Sequence, residues 1–438
     1  MGGLLELHVA QGGSIIGETG ASLTVDKLFN EGVIRLPGGT ITQQQILPVL
    51  YTGADALGVR ALSDAFAVNA DGSIDENAAS LVTGLTNAQL AGSGSPSGPQ
   101  HPIYLLGLLD ADQGLVFAPG SVTDLSGTSI RNPYATDGAD GRLIDTGRVV
   151  AGGTIQALPD AALPGQLLFQ PTASSAYFSL QALGASTHGA VPVTHLDVGQ
   201  EGLQLIAAPG SLIDLSGASD IYDQPVAGAA GGLAGSHYAS SPVWSDAGTL
   251  KAGAGATLTG ANLMLRGGAP QARGGTLELL DPMLSQHDPD APAVNVVSAD
   301  MLAASGIDTL IADGSIDSIG DVNVSLARGF FLQDRPFVND ASVQNDTSTP
   351  NGLVPAIRSH GGMLEINAPY IGFSSKFDAL STPAIGTPGT GSVDFEAGAI
   401  DFTGVLLVDQ SVGSASFGAS GDIRMTGVVP WQQTFLAG

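Results

Sequence analysis

Along most of the chain, apolar and polar residues alternate for three to six positions and then stop at Gly, Asn or Asp. A two-residue period is that of a half-buried strand, and the stops are turns. Residues 2–42 give LLELHV, SIIG, SLTV, VIRL and TIT in succession, with strand centres about 8 residues apart. A unit of two or three such strands with their turns takes roughly 20 to 25 residues.

Some of these units recur as words. APGSVTDLSG, Ala118 to Gly127, returns as APGSLIDLSG, Ala208 to Gly217, differing only at Val122 versus Leu212 and Thr123 versus Ile213. DTGRVVAGGTI from Asp145 and DAGTLKAGAGATL from Asp246 follow the two copies in the same order. GGLLEL at Gly2, GGTLEL at Gly274 and GGMLEI at Gly361 each open on two glycines. Their alternation turns Leu5 and Leu7, Leu277 and Leu279, or Leu364 and Ile366 inward, and Glu6, Glu278 or Glu365 towards solvent. Turn-strand words in fixed order point to a stack of repeats rather than a sandwich. The predicted fold is all-β: a right-handed parallel β-helix, a solenoid in which each strand bonds its counterpart one rung away at ~4.8 Å. At the period above, the 90 residues between the two long words predict about four rungs between them.

Excursions interrupt the pattern. Residues 43–112 form the largest, with helices expected at Ala54 to Ala67 and Asp75 to Leu85 and a Gly/Ser/Pro linker at Ala91 to Pro102. Arg131 to Arg142, Ile221 to Trp244 and Asp281 to Pro292 read as loops, and Ser298 to Ser305 as a short helix capped by Ser298. Residues 1–438 are otherwise one elongated body, expected to be a piece of a longer protein because Met1 opens directly on a repeat unit.

Composition narrows the classes. With 62 Gly but only 13% charged residues among 438, the chain is too aliphatic to be disordered. Its 41 acidic against 14 basic residues, a net charge of -27, disfavour anionic headgroups as partners and leave nucleic acid out. Cysteine is absent, so there is neither a disulfide framework nor a thiolate metal site. No apolar run reaches the ~18 to 20 residues of a membrane span.

The words GGTLELLDP, GSLIDLSG and GSVTDLSG, INAPYIGF and IDTLIADGSIDSIGDVNVSLA resemble the long passenger regions of filamentous haemagglutinin-like exoproteins, adhesins exported by two-partner secretion. The resemblance covers most of the chain outside the excursions. It implies a secreted or bacterial cell-surface shaft whose work is attachment to a carbohydrate or cell-surface receptor, neighbouring cells or matrix polysaccharide. The secretion segment with Asn-Pro-Asn-type motifs, through which such proteins engage an outer-membrane transporter, is not in this sequence, so that role attaches to no residue here.

Candidate chemistry is sparse. Asn69, Asp71, Ser73 and Asp75, around Gly72, match the middle of a calcium loop, but Ala67 and Ala78 stand at its first and twelfth positions. An Asp-Gly turn explains the same residues, and calcium is the one cofactor to test. Asp313, Asp317 and Asp321 suggest either a shared cation or turn caps facing water; His188, His195 and Asp197 suggest a metal pair or a charge relay, or only a surface hydrogen bond between His195 and Asp197, which share a face of a strand. No nucleophile elbow, phosphate loop or HExxH occurs. Because parallel β-helices include polysaccharide lyases and hydrolases, a carbohydrate-active enzyme is the rival reading. It needs clustered carboxylates with a base beside them, and the basic residues are scattered in sequence. Recognition falls more naturally to the excursions. Tyr222, Tyr238 and Trp244, in one of them, are candidates for stacking on sugar rings, or for covering the side of the rod.

Overall fold

The structure, a computed structural model, describes residues 6–43 apart from 26, then 49–52, 103–106 and 114–157 apart from 135 and 138–142. It continues with 169–172, 177–180, 191–192, 204–225, 238–334 apart from 253–255, 355–375 and 389–427. The first 43 residues set the pattern. Glu6–Val9, Ser14–Ile16 and Ser22–Val25 enter three different sheets, and Lys27–Asn30, Val33–Arg35 and Thr40–Gln43 then visit the same three in the same order. Glu6 lies opposite Lys27, Ser14 opposite Val33 and Ser22 opposite Thr40, all in parallel.

The next visits skip long stretches of chain. Gly114–Phe117 and Gln204–Ala207 extend the first sheet, Val122–Asp124 and Leu212–Asp214 the second, Thr154–Ala157 and Thr249–Ala252 the third. Leu28 is thus opposite Leu115, and the antiparallel pair Val49–Thr52 and Ile103–Leu106 lies within the skipped excursion. The helices expected there lie outside the described residues. After Ala256–Thr257 and Asn262–Met264 the first two sheets end. The third goes on through Gly275–Leu280, Ile307–Asp313, Gly329–Gln333, Met363–Ser374, Gly391–Thr403 and Val412–Ala419. Beside it runs a five-stranded parallel sheet containing Met283–Ser285, Ser315–Ser318 and Ala356–Ile357. Met283–Ser285 corrects the expectation of a plain loop from Asp281 to Pro292, too short an apolar stretch to stand out by alternation.

The two long words lie one layer apart, not four. Val122, Thr123 and Asp124 pair with Leu212, Ile213 and Asp214, because the described strands between them enter side hairpins, the third sheet and the first sheet but not the second. The words make local sense. In each APGS a Pro-Gly turn puts the glycine at positive φ, 77° at Gly120 and 80° at Gly210, and Ser121 and Ser211 close it on Ala118 and Ala208. In each DLSG the Asp accepts the Ser amide, 3.1 Å at Asp124 and 2.9 Å at Asp214, while Leu125 and Leu215 are fully buried. The double-glycine words do not align: the first runs into the first sheet, the other two into the third at different registers.

Leucine-rich alternation becomes a continuous buried ladder. Leu23, Ile41, Ile155, Leu250, Leu277, Leu310, Phe330, Ile371, Ile400 and Ile423 are successive register partners across the third sheet. All from Ile41 to Ile400 are sealed from solvent. Leu277 and Leu364 point inward as expected, both at 0% exposure. The helix Ala299–Ser305 forms where expected, with the Ser298 hydroxyl accepting the Met301 amide at 3.0 Å.

Candidate functional site

Each DLSG turn is followed by an antiparallel hairpin. Thr128–Arg131 pairs with Gly147–Val150 after the first word, and Ser219–Pro225 with Tyr238–Trp244 after the second. The stretch from Ile221 to Trp244 is therefore framed by strands, a correction to the loop expected there; its arms pair with each other, so the repeat words do not mark them. Because the words sit in adjacent layers, the hairpins stack. The Asp223 amide donates to the Asp145 carbonyl at 2.7 Å, and the Asp145 amide to Asp223 Oδ2 at 2.8 Å. At the base, Ser245 Oγ bridges the layers, donating to the Val150 carbonyl at 2.9 Å and accepting the Ala218 amide at 2.9 Å.

The alternation of strand side chains divides the three predicted aromatics. Tyr222, opposite Ser241, faces the first hairpin, whereas Tyr238 and Trp244, opposite Pro225 and Ser219, share the other face. Tyr222 is fully buried against Gly147, where a Cβ would stand 2.5 Å from its ring. The Arg131 guanidinium lies 5.9 Å from that ring's centre and pairs with Asp145 and Asp220. The Ile221 amide, the Ser129 hydroxyl and Arg131 hold the Asp220 carboxyl below its ordinary range. Tyr222 is therefore a structural joint. Trp244 is 40% and Ile221 60% exposed on the outer face, together with Pro242 and Ser240. In the next layer the chain makes a short turn after Asn262–Met264 in place of a third hairpin.

The acids group differently from expectation. Asp313, Asp317 and Asp321 do not converge. Asp321 is exposed and accepts the Met363 amide at 2.9 Å. Asp313 ends a third-sheet strand with no exposure at all. Its Oδ1 accepts Nε2 of Gln333 at 2.8 Å and its Oδ2 has no hydrogen-bond partner. Burial pushes its carboxyl up to about 7, against the Gln333 hydrogen bond and with Glu278 adding to the rise. Asp317 lies in the five-stranded sheet, also pushed up by burial, with His360 Nε2 4.0 Å away. Glu278 does not face open solvent: Lys251, its register partner, covers it with an ion pair of 2.7 Å. Glu365, half-buried, accepts Nδ2 of Asn323 at 2.9 Å and of Asn367 at 2.8 Å, and the Glu6 side chain lies outside the described residues. Sequence spacing does not reveal the meeting of Lys251, Glu278, Asp281 and Asp313, which strand register produces.

Among the described residues no group of three or more His, Cys, Asp or Glu is placed to hold a metal. The calcium candidates Asn69, Asp71, Ser73 and Asp75 lie outside the described residues, as do His188, His195 and Asp197. Nor is any described helix long and apolar enough to cross a membrane. No protein-family model, curated protein or solved structure matches the chain.

Proposed function

We propose that this chain is a right-handed parallel β-helix serving as the stiff shaft of a secreted, cell-surface bacterial adhesin of the filamentous haemagglutinin-like kind. Its stacked hairpin pair forms the lateral contact with a carbohydrate receptor. The observation that carries the reading is the rotation of the chain through the same three sheets, with like residues in register from layer to layer. A rigid stack of this kind holds loops at fixed heights, which is what a spacer for recognition requires.

The exposure of Trp244 and Ile221 on the outer hairpin face supports carbohydrate as the ligand. Trp244 and Tyr238 lie on one strand six residues apart, about 20 Å at the rise of a strand, with Pro242 between them and Ile221 opposite Pro242. Flat rings with polar edges suit the apolar faces of sugars, and this separation favours an extended polysaccharide over a single ring. The excess of acid favours a neutral polysaccharide over an anionic one.

The test is binding of the full chain to arrayed neutral and acidic polysaccharides, with product analysis of the same mixtures. Retention of a neutral glycan, weakened at least tenfold in Trp244→Ala with unchanged melting, supports the reading. Reducing ends or unsaturated products would replace it with the carbohydrate-active enzyme.

A further inference from the structure

The corner where the chain leaves the third sheet for the five-stranded one, at Asp313, Gly314 and Ser315, concentrates buried acid. The Asp281 amide donates to the Asp313 carbonyl at 2.8 Å, and Asp281 Oδ1 accepts both the amide and the hydroxyl of Ser315 at 2.8 Å each. Leu280, the register partner of Asp313, is itself buried. Ionisable groups reach the corner from three sides: Glu278 with its partner Lys251, Asp281 on the turn, and from the five-stranded sheet Asp317 with His360 beyond it and Arg358, whose Nη1 donates to Ser315 Oγ at 3.2 Å. The strand Gly329–Gln333 on the remaining side brings Gln333 but no ionisable side chain.

We propose that this corner is a pH-sensitive joint, closed while Asp313 is neutral and loosened when it ionises. A neutral Asp313 loses little by having one oxygen without a partner. An ionised one is a sealed charge with a single side-chain amide to hold it, facing Glu278 and Asp281, with Lys251 opposing them and Arg358 on the neighbouring Ser315 hydroxyl. The direction follows from linkage. Asp313 titrates near 7 in the closed corner and near 4 once opened to water, so the closed form binds the extra proton. Its contribution is complete below pH about 4, falls as pH rises, and is gone once pH has passed about 7. Opening of the corner should rise about tenfold per pH unit within that window and level off above it.

The whole-chain response to pH has other sources as well, so the comparison with a variant carries the test. Melting of the full chain is followed between pH 5 and 8 in the parent and in Asp313→Asn, which keeps the shape but cannot ionise. The proposal expects a fall in the parent that is markedly shallower in the variant; equal slopes overturn it. Should the variant fail to fold, hydrogen exchange in the parent decides. Corrected for the intrinsic pH effect, the Gly314 and Ser315 amides should open at least tenfold more at pH 7.5 than at 5.5, while those of Thr154–Ala157 do not. Equal behaviour of the two sets overturns the proposal.

Discussion

Asn30 has no exposure, yet it is polar. Its Nδ2 donates to the Thr123 hydroxyl at 3.0 Å and more weakly to the Val122 carbonyl at 3.4 Å, and its Oδ1 accepts the Gly32 amide at 3.0 Å. It therefore ties its own turn to the next layer. Asn30→Ala would strand the Gly32 amide and the Thr123 hydroxyl in the interior, at a cost of about 1 to 3 kcal/mol. Urea unfolding should show a lowered midpoint with little change in slope, and an unmoved midpoint would mean that water takes over both groups. Some of this chemistry is legible from local words: the Asp-Leu-Ser-Gly turns and the Ser298 cap use contacts within three residues. Asp313 is not. Alternation puts it on the outward side with Thr309 and Ile311, and only the packing of the corner encloses it.

At the scale of the element, the ladder through Leu277, Leu310 and Phe330 shows why short strands suffice. Each side chain is held above and below by its register partners, so three to seven residues bury what an isolated strand could not. Truncating a middle residue leaves a void walled by two rigid layers. Leu310→Ala should cost about 2 to 5 kcal/mol, and Leu277→Arg more than that, because no acid faces inward there to pair with the charge. Chemical denaturation measures the first, and loss of the folded fraction the second. Towards the last strands the aromatics take over, with Phe395 stacked on Phe417 at 5.3 Å and edge-on to Phe373 at 5.2 Å. Alternation identifies which residues face this core, and the repeated words identify which strands are equivalent. What they leave out is the length of chain between layers. A rung can carry a hairpin of any size without disturbing the register of its strands, and so a period drawn from residues 2–42 misplaces the two long words.

Across the whole molecule, charge and stacking oppose each other. Layers ~4.8 Å apart bring acids of neighbouring rungs well inside the Debye length, ~10 Å at 0.1 M salt and ~30 Å at 0.01 M. Among the described residues, three ion pairs join register partners across layers: Arg35 with Asp124 at 3.0 Å, Lys251 with Glu278 at 2.7 Å and Arg424 with Asp401 at 2.6 Å. Arg424, with the Tyr370 hydroxyl, holds the Asp401 carboxyl below its ordinary range. Pairs at least partly open to water add little cohesion, and 14 basic residues cannot match 41 acidic ones. Repulsion between layers therefore outweighs the bridges, and salt, which screens both, should stabilise the stack. Melting temperature at pH 8 should rise between 0.01 and 0.3 M sodium chloride. Arg35→Gln should melt lower than the parent at low salt, with the gap closing as salt is added. A melting temperature that falls with salt would mean that the cross-layer pairs, few as they are, govern the cohesion of the stack.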